Sequence, residues 1–273
     1  MKILRVFPRR TKATPDDCMA FIGEPPLFRP PADEVHVSVT FTWDCERAFR
    51  LRDSWARYYP VVKIGGPALN TGMDTLGFEP GMYLRDGYVI TTRGCPNHCP
   101  WCFVPKREGE LRCLPIRKGY DVLDNNLLAA PEKHIRAVLR MLREQPHPAR
   151  FSGGLEATRV TDWFVHELSM MRVHRLFLAY DRPEDKEPVL EAIGKFKAAG
   201  FQRVKLCCYV LVAYQGDTQD AAERRCRTIV EAGATPFAMF FRGPDSPAAI
   251  DPDWRAFVRE WTRPAAIFRR QVT

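Results

Sequence analysis

A chain of 273 residues, 45% of them apolar, has enough material for a sizeable core and for one large domain with a smaller attachment. It contains no apolar run of about eighteen residues, which excludes a spanning helix, and Met1-Lys2-Ile3-Leu4-Arg5-Val6-Phe7 carries no signal segment, so a cytoplasmic protein with no membrane association is expected. The net charge of +8 permits an anionic partner without requiring one, and nine mostly scattered cysteines do not form a disulfide framework.

Residues 1–85 are expected to form a first domain. Ile3 to Phe7 reads as a strand, followed by the basic turn Arg9-Arg10-Thr11-Lys12. Prolines from Pro25-Pro26 to Pro30-Pro31 keep the next stretch irregular. Val35, Val37, Val39 and Phe41 then alternate with His36, Ser38 and Thr40 at the period of a strand. Ala48, Leu51, Trp55 and Tyr59 recur at helical spacing, and Val61-Val62-Lys63-Ile64 reads as a second strand closed by Gly65-Gly66-Pro67. Strand, helix and strand in succession imply parallel strands with a right-handed crossover, a small Rossmann-like βαβ extension.

The chemistry concentrates in Cys95-Pro96-Asn97-His98-Cys99-Pro100-Trp101-Cys102, directly after the strand-like run Tyr88 to Thr92. Three thiolates in one short loop with this spacing can curl around a corner of an iron–sulfur cube, each taking one iron. Three ligands for four irons leave one iron open to a small molecule, which separates a catalytic cluster from a structural one. Two other readings stand beside this one. A structural zinc site needs four ligands, so His98 or Cys113 would have to complete it. A disulfide would need an oxidising compartment.

From residue 88 a strand-plus-helix repeat emerges. Strand-like runs lie near 88–92, 119–123, 149–152, 174–180, 204–212 and 235–241, spaced as such units require. Ile135, Val138, Leu139 and Leu142 mark one apolar helix face; Phe164, Leu168 and Met171 mark the next, with Thr161 as N-cap. Val189, Ile193 and Phe196 mark a helix stopped by Gly200, and Ala222, Cys226, Ile229 and Val230 one stopped by Gly233. Trp254, Phe257, Val258 and Trp261 mark a last helix. The expected organisation is α/β: an extension over 1–85, a partial (βα)6 TIM-like barrel over 86–245, and a C-terminal helix over 246–273 that packs on it.

The cysteine loop, with Trp101 just before Cys102, resembles the signature of the radical S-adenosylmethionine (SAM) superfamily. The resemblance covers roughly residues 33–245 and is strongest over 88–106. It implies a [4Fe-4S] cluster on Cys95, Cys99 and Cys102, with SAM on the open iron, and an external electron donor such as flavodoxin or ferredoxin. Reductive cleavage of SAM would give a 5′-deoxyadenosyl radical that abstracts hydrogen from a substrate. By the same resemblance Trp101, Asp124, Asn125, Tyr180, Asp181 and Phe240 would contact SAM. Gly153, Gly154 and Glu156 resemble a Gly-Gly-Glu motif but fall one strand late, and a tight strand–helix turn is the other reading. The run from Asp33 to Gly66-Pro67 resembles the end of the cobalamin-binding domain that precedes some of these cores. None of the six histidines sits in the Asp-x-His-x-x-Gly motif of that domain, so a truncated cap without cobalamin is expected, and His36 reads as an outward or satisfied strand residue.

Cys207 and Cys208 are adjacent in one strand, so only one can face a barrel interior. That one is the candidate for donating a hydrogen atom or binding substrate; the other reading is a small buried apolar residue. Arg93, Lys106, Arg107, Arg112, Arg159 and Arg182 fall in loops expected at the barrel mouth. They keep a nucleobase in a nucleotide or nucleic acid in view as substrate, beside a small molecule or a peptide. A non-catalytic iron–sulfur electron-transfer or sensor protein, and a zinc-stabilised nucleic-acid-binding module, are the alternatives to an enzyme.

Overall fold

The computed structural model describes residues 1–69, 79–243 and 250–269. Backbone contacts divide the chain into two compact units, Met1–Tyr88 and Val89–Thr273. The expected boundary at 245/246 lies outside the described residues.

The first unit grows from the alternating valines. β1 (Ile3–Phe7), β2 (Ala20–Ile22), β3 (Glu34–Ser38) and β4 (Val62–Gly65) form a four-stranded sheet in the order β2-β1-β3-β4, parallel throughout. α1 (Cys45–Ala56) links β3 to β4 and supplies the expected crossover. Leu4, Val6, Val35 and Val37 of the strands close on Leu51 and Trp55 of α1, all at most 1% exposed. Each such side chain stabilises the unit by about 1.5–3 kcal/mol. β2 is an addition to the expected elements; its three residues are too few to show a period. His36 is buried and satisfied, its Nε2 2.7 Å from Glu34 Oε2 and its Nδ1 on the Tyr83 hydroxyl.

The second unit carries the repeat. Its elements are β5 (Tyr88–Val89, which begins at the boundary), β6 (Thr92–Arg93), α2 (Val104–Glu108), β7 (Arg112–Cys113), β8 (Asp121–Val122), α3 (Glu132–Arg143), β9 (Ala149–Phe151), α4 (Asp162–Ser169), β10 (Val173–Ala179), α5 (Lys186–Ala198), β11 (Leu206–Val212), α6 (Gln219–Ala232), β12 (Thr235–Phe240), α7 (Pro252–Trp261) and α8 (Pro264–Arg269). Six of the strands form one sheet in the order β12-β11-β10-β9-β8-β5, and β8 through β12 pair in parallel. Every strand thus lies beside its chain neighbour, and α3 to α6 connect them in turn. Thr161 caps α4, its Oγ1 accepting from Phe164 N at 3.2 Å, and Gly200 and Gly233 follow α5 and α6 at φ +86° and +91°.

One core takes one face of each strand. Ala149 and Phe151 of β9, Leu176 and Leu178 of β10, and Leu206, Cys208, Val210 and Val212 of β11 are buried together with Ile135, Leu139, Phe164, Ile193 and Ile229 of the helices. The intervening residues face the other side of the sheet.

The first expected strand is divided. β5 ends at Val89, and Thr92–Arg93 leave to pair antiparallel with Arg112–Cys113. Buried Asp124 explains the break: it accepts from both the backbone N–H and the hydroxyl of Thr91, so this stretch bonds to a side chain instead of continuing the ladder.

Candidate metal-cofactor site

The cysteine loop is cinched at its base. β6 and β7 form its neck, and Cys95 N donates to Gly109 O at 3.2 Å. Gly94 sits at φ +79°, and a Cβ there would lie 2.0 Å from Glu110 O, so only glycine lets the two sides close. Cys102 N donates to Cys99 O at 3.0 Å, which turns the loop back on itself. The five-residue α2 follows and ends at Gly109. Local sequence hid it, because Pro105 and Gly109 read as loop.

Cys95, Cys99 and Cys102 line one cavity of about 290 Å³. It lies beyond the C-terminal ends of β8, β9 and β10, where parallel strands gather their loops. Of the other expected site residues, Trp101, Asn125, Gly153, Gly154, Glu156 and Asp181 line the same cavity. All nine cysteines are free, and neither His98 nor Cys113 lines the cavity. Among the described residues no group of three or more His, Cys, Asp and Glu side chains stands where it could hold a metal ion. A multi-iron cluster does not ask for convergence on a point, since each cysteine binds its own iron. The donor set therefore suits a cluster held by three thiolates. Burial pushes the Cys99 and Cys102 thiols up, and the neighbouring cysteine sulfurs push them further in the same direction. Crowded thiolates of this kind favour a cation that would neutralise them.

Opposite the loop stand amides and carboxylates. Asn126, 5% exposed, donates from Nδ2 to Glu156 Oε2 at 2.6 Å and to Cys95 Sγ at 3.6 Å. Its Oδ1 is buried with no hydrogen-bond partner. Burial alone would raise Glu156, but hydrogen bonds from Asn126, Thr158 and Arg159 outweigh it and hold the carboxyl below its ordinary range. Asn125 is committed to the loop instead, donating to Glu108 Oε2 at 2.9 Å and accepting from Arg93 Nη1 at 2.9 Å. Asp181 is pushed up to about 6 by burial, although its Oδ1 accepts from Leu211 N at 3.0 Å. Arg182 lies 5.4 Å from the centre of the Trp101 ring and pairs with Asp185 at 3.1 Å. Trp101 in turn meets the edge of Tyr214 at 5.7 Å.

Five expected residues stand elsewhere. Asp124 is 1% exposed and spends both oxygens on Thr91, so it braces β6 and does not line the cavity. Gly153 shows how tightly that brace is packed: a Cβ there would lie 2.0 Å from Asp124 O. Tyr180 and Cys208 are buried in the helix-facing core, on the wrong face of their strands. Phe240 packs against that same core. Cys207 faces the other way but is 4% exposed and lies short of the cavity.

Further residues line the cavity beside the expected ones, among them Asn126, Tyr209 and Asp185. Asn126 is the third member of the Asp124-Asn125-Asn126 run, of which the resemblance implies the first two as SAM contacts. Tyr209 lines the cavity from the same face of β11 as Cys207, a placement strand alternation implies once Cys208 is assigned to the core. Asp185 follows Asp181 by one helical turn at the start of α5. No protein-family model matches the chain, and no curated protein matches it.

Proposed function

We propose that this chain is a radical SAM enzyme, with its six-stranded sheet curled into a partial (βα)6 barrel whose mouth is the cysteine-lined cavity. The observation that carries the reading is the meeting of three thiols from one eight-residue stretch with Asn126, Glu156 and Asp181 in a single cavity at the strand ends. Cys95, Cys99 and Cys102 would hold a [4Fe-4S] cluster. When bound, the cluster and SAM would supply one-electron chemistry for hydrogen abstraction from the substrate.

The chain's own residues bind and orient. The loop presents its thiolates from a neck fixed by β6 and β7, which limits the rearrangement needed to load iron. Asn126 ties Cys95 to Glu156, so the amide bridges the cluster side and the cofactor side of the cavity. Glu156 and Asp181 place acceptor oxygens where a cationic cofactor needs counter-charge. Trp101, held between Arg182 and Tyr214, offers a flat wall that shields the loop from water. Lys106 and Arg107 on α2 give an external flavodoxin- or ferredoxin-like donor a basic approach next to Cys102. A nucleobase in a nucleotide or nucleic acid is the proposed substrate class.

Anaerobic reconstitution with iron and sulfide, then incubation with SAM and a strong reductant, tests this. Expected are about four irons per chain and 5′-deoxyadenosine among the products, both lost in Cys95→Ala, Cys99→Ala and Cys102→Ala. Stoichiometric zinc, or iron without SAM cleavage, would overturn the enzyme reading in favour of a zinc module or an electron-transfer protein.

A further inference from the structure

The sheet face opposite the helices carries charge that the cysteine cavity does not use. β9 and β10 change register between Val173 and Arg175, so that Val173 sits opposite Ala149 while Arg175 sits opposite Arg150. A bulge of this kind re-aims side chains. Before it, Val173 joins the helix-facing core; after it, Leu176 and Leu178 do, and Arg175 and Phe177 turn to the open face. The result is two guanidiniums directly across from each other, an arrangement that costs stability unless something neutralises it. Asp121, opposite Arg150 on β8, pairs with it at 3.5 Å. Arg175 has no ion pair among the described residues, and its Nε is buried with no hydrogen-bond partner. His174 cannot help: burial and the charges of Arg175, Arg150 and Lys205 hold it down, hence neutral.

Next to Arg150 lies a shelf of three aromatic rings. Arg150 stacks over Phe177 at 5.5 Å, Phe177 stacks on Tyr209 at 4.6 Å, and Phe237 meets both rings edge-on at 6.3 and 5.7 Å. Phe237 remains 38% exposed and Met239 beside it 43% exposed, so the shelf is open at that edge, while Phe177 is covered at 2% exposed. Tyr209 also lines the cysteine cavity, which makes shelf and cavity neighbours.

We propose that Arg150 and Arg175 are the oxyanion seat of a ligand whose apolar body lies against Tyr209 and Phe237. The ligand carries a phosphate monoester or a carboxylate; guanidinium forks suit both. Calling it the substrate rests on the radical SAM reading; its binding does not.

The test uses the full reconstituted chain with phenyl phosphate, benzoate, inorganic phosphate and benzyl alcohol, read by calorimetry and thermal unfolding, with iron content and SAM cleavage measured on the same preparation. Phenyl phosphate or benzoate should bind and raise the unfolding midpoint. The tighter of the two identifies the anionic group, and uncharged benzyl alcohol should bind about tenfold more weakly or worse. Arg175→Gln should lose about tenfold or more of the anion affinity, Arg175→Lys less. Ligand-free Arg175→Gln should unfold no lower than the wild type, because it relieves the like-charge pair; a merely structural arginine would lower it. Absence of binding by every anionic probe, equal binding by Arg175→Gln, or a destabilised ligand-free variant would overturn the seat. A wild type that loads iron and cleaves SAM but ignores the probes sinks this inference alone. One that binds the probes without loading iron sinks the radical SAM reading alone.

Discussion

Asp181 shows how one side chain can carry a measurable signature of the cavity. Its carboxyl is raised from an ordinary 3.8 to about 6, chiefly by burial. For an acid raised in the folded state, ionisation opposes folding. The penalty is absent below the unfolded value near pH 4 and complete above about pH 6. In iron-free protein, Asp181→Asn should therefore be more stable than the wild type at pH 7, by on the order of 2–3 kcal/mol, with the difference vanishing near pH 4. Asparagine keeps an acceptor for Leu211 N, so the comparison isolates the charge. Urea unfolding at both pH values checks it, and a variant less stable at pH 7 would contradict the burial argument. Gly153 gives a second test. Its missing Cβ makes room for the Asp124 backbone, so Gly153→Ala should destabilise by about 2–3 kcal/mol even though alanine is small. Gly154, with open space around its Cβ position but φ at +93°, should cost less, roughly 1 kcal/mol.

Between elements, the β11–α6 connection depends on one buried ion pair. Arg225, 9% exposed, forks onto Asp217 at 2.9 and 3.2 Å and donates to Leu211 O at 2.9 Å. Asp217 Oδ2 in turn accepts from Ala213 N, a non-glycine residue at positive φ (+62°), at 3.0 Å. The pair thus holds a strained turn that carries Tyr214 to Trp101. Arg225→Met should destabilise by about 3–5 kcal/mol, because it strands a buried carboxylate, and adding Asp217→Asn should restore a substantial part. Denaturant unfolding of the four proteins in that cycle reads the coupling; additive effects would refute it. None of this was legible in the sequence, where Arg225 looks like one more basic residue on a helix. What was legible is what local periodicity fixes. The β3-α1-β4 unit, the strands β9 to β12 and the helices α3 to α6 fall where apolar spacing puts them, and the three cysteines share one cavity. What periodicity could not show is which face a strand residue takes after a bulge. Tyr180 joins the core because it continues the alternation of Leu176 and Leu178, and the same alternation makes Cys208 the core member of the Cys207-Cys208 pair.

Charge distribution governs the molecule as a whole. A net charge of +8 invites a polyanion. Yet the cations expected at the cavity mouth are largely compensated there. Arg93 lies 3.4 Å from Glu108, Arg159 2.7 Å from Glu156 and Arg182 3.1 Å from Asp185, while Arg112 donates to Glu108 O at 2.7 Å. Ion-paired arginines release few counterions when a phosphate chain approaches, and a backbone contact must first displace the carboxylate. Arg175, without an ion pair among the described residues, stands on a sheet face suited to one oxyanion rather than to a strand of them. Binding to tRNA and to single-stranded DNA should accordingly be weak, with log affinity against log salt falling no more steeply than about −2. Neutralising Lys106, Arg107 and Arg112 together should change that slope little. A slope near −5 that collapses in the triple variant would place a polymer across the mouth and favour nucleic acid over a single nucleotide as the ligand.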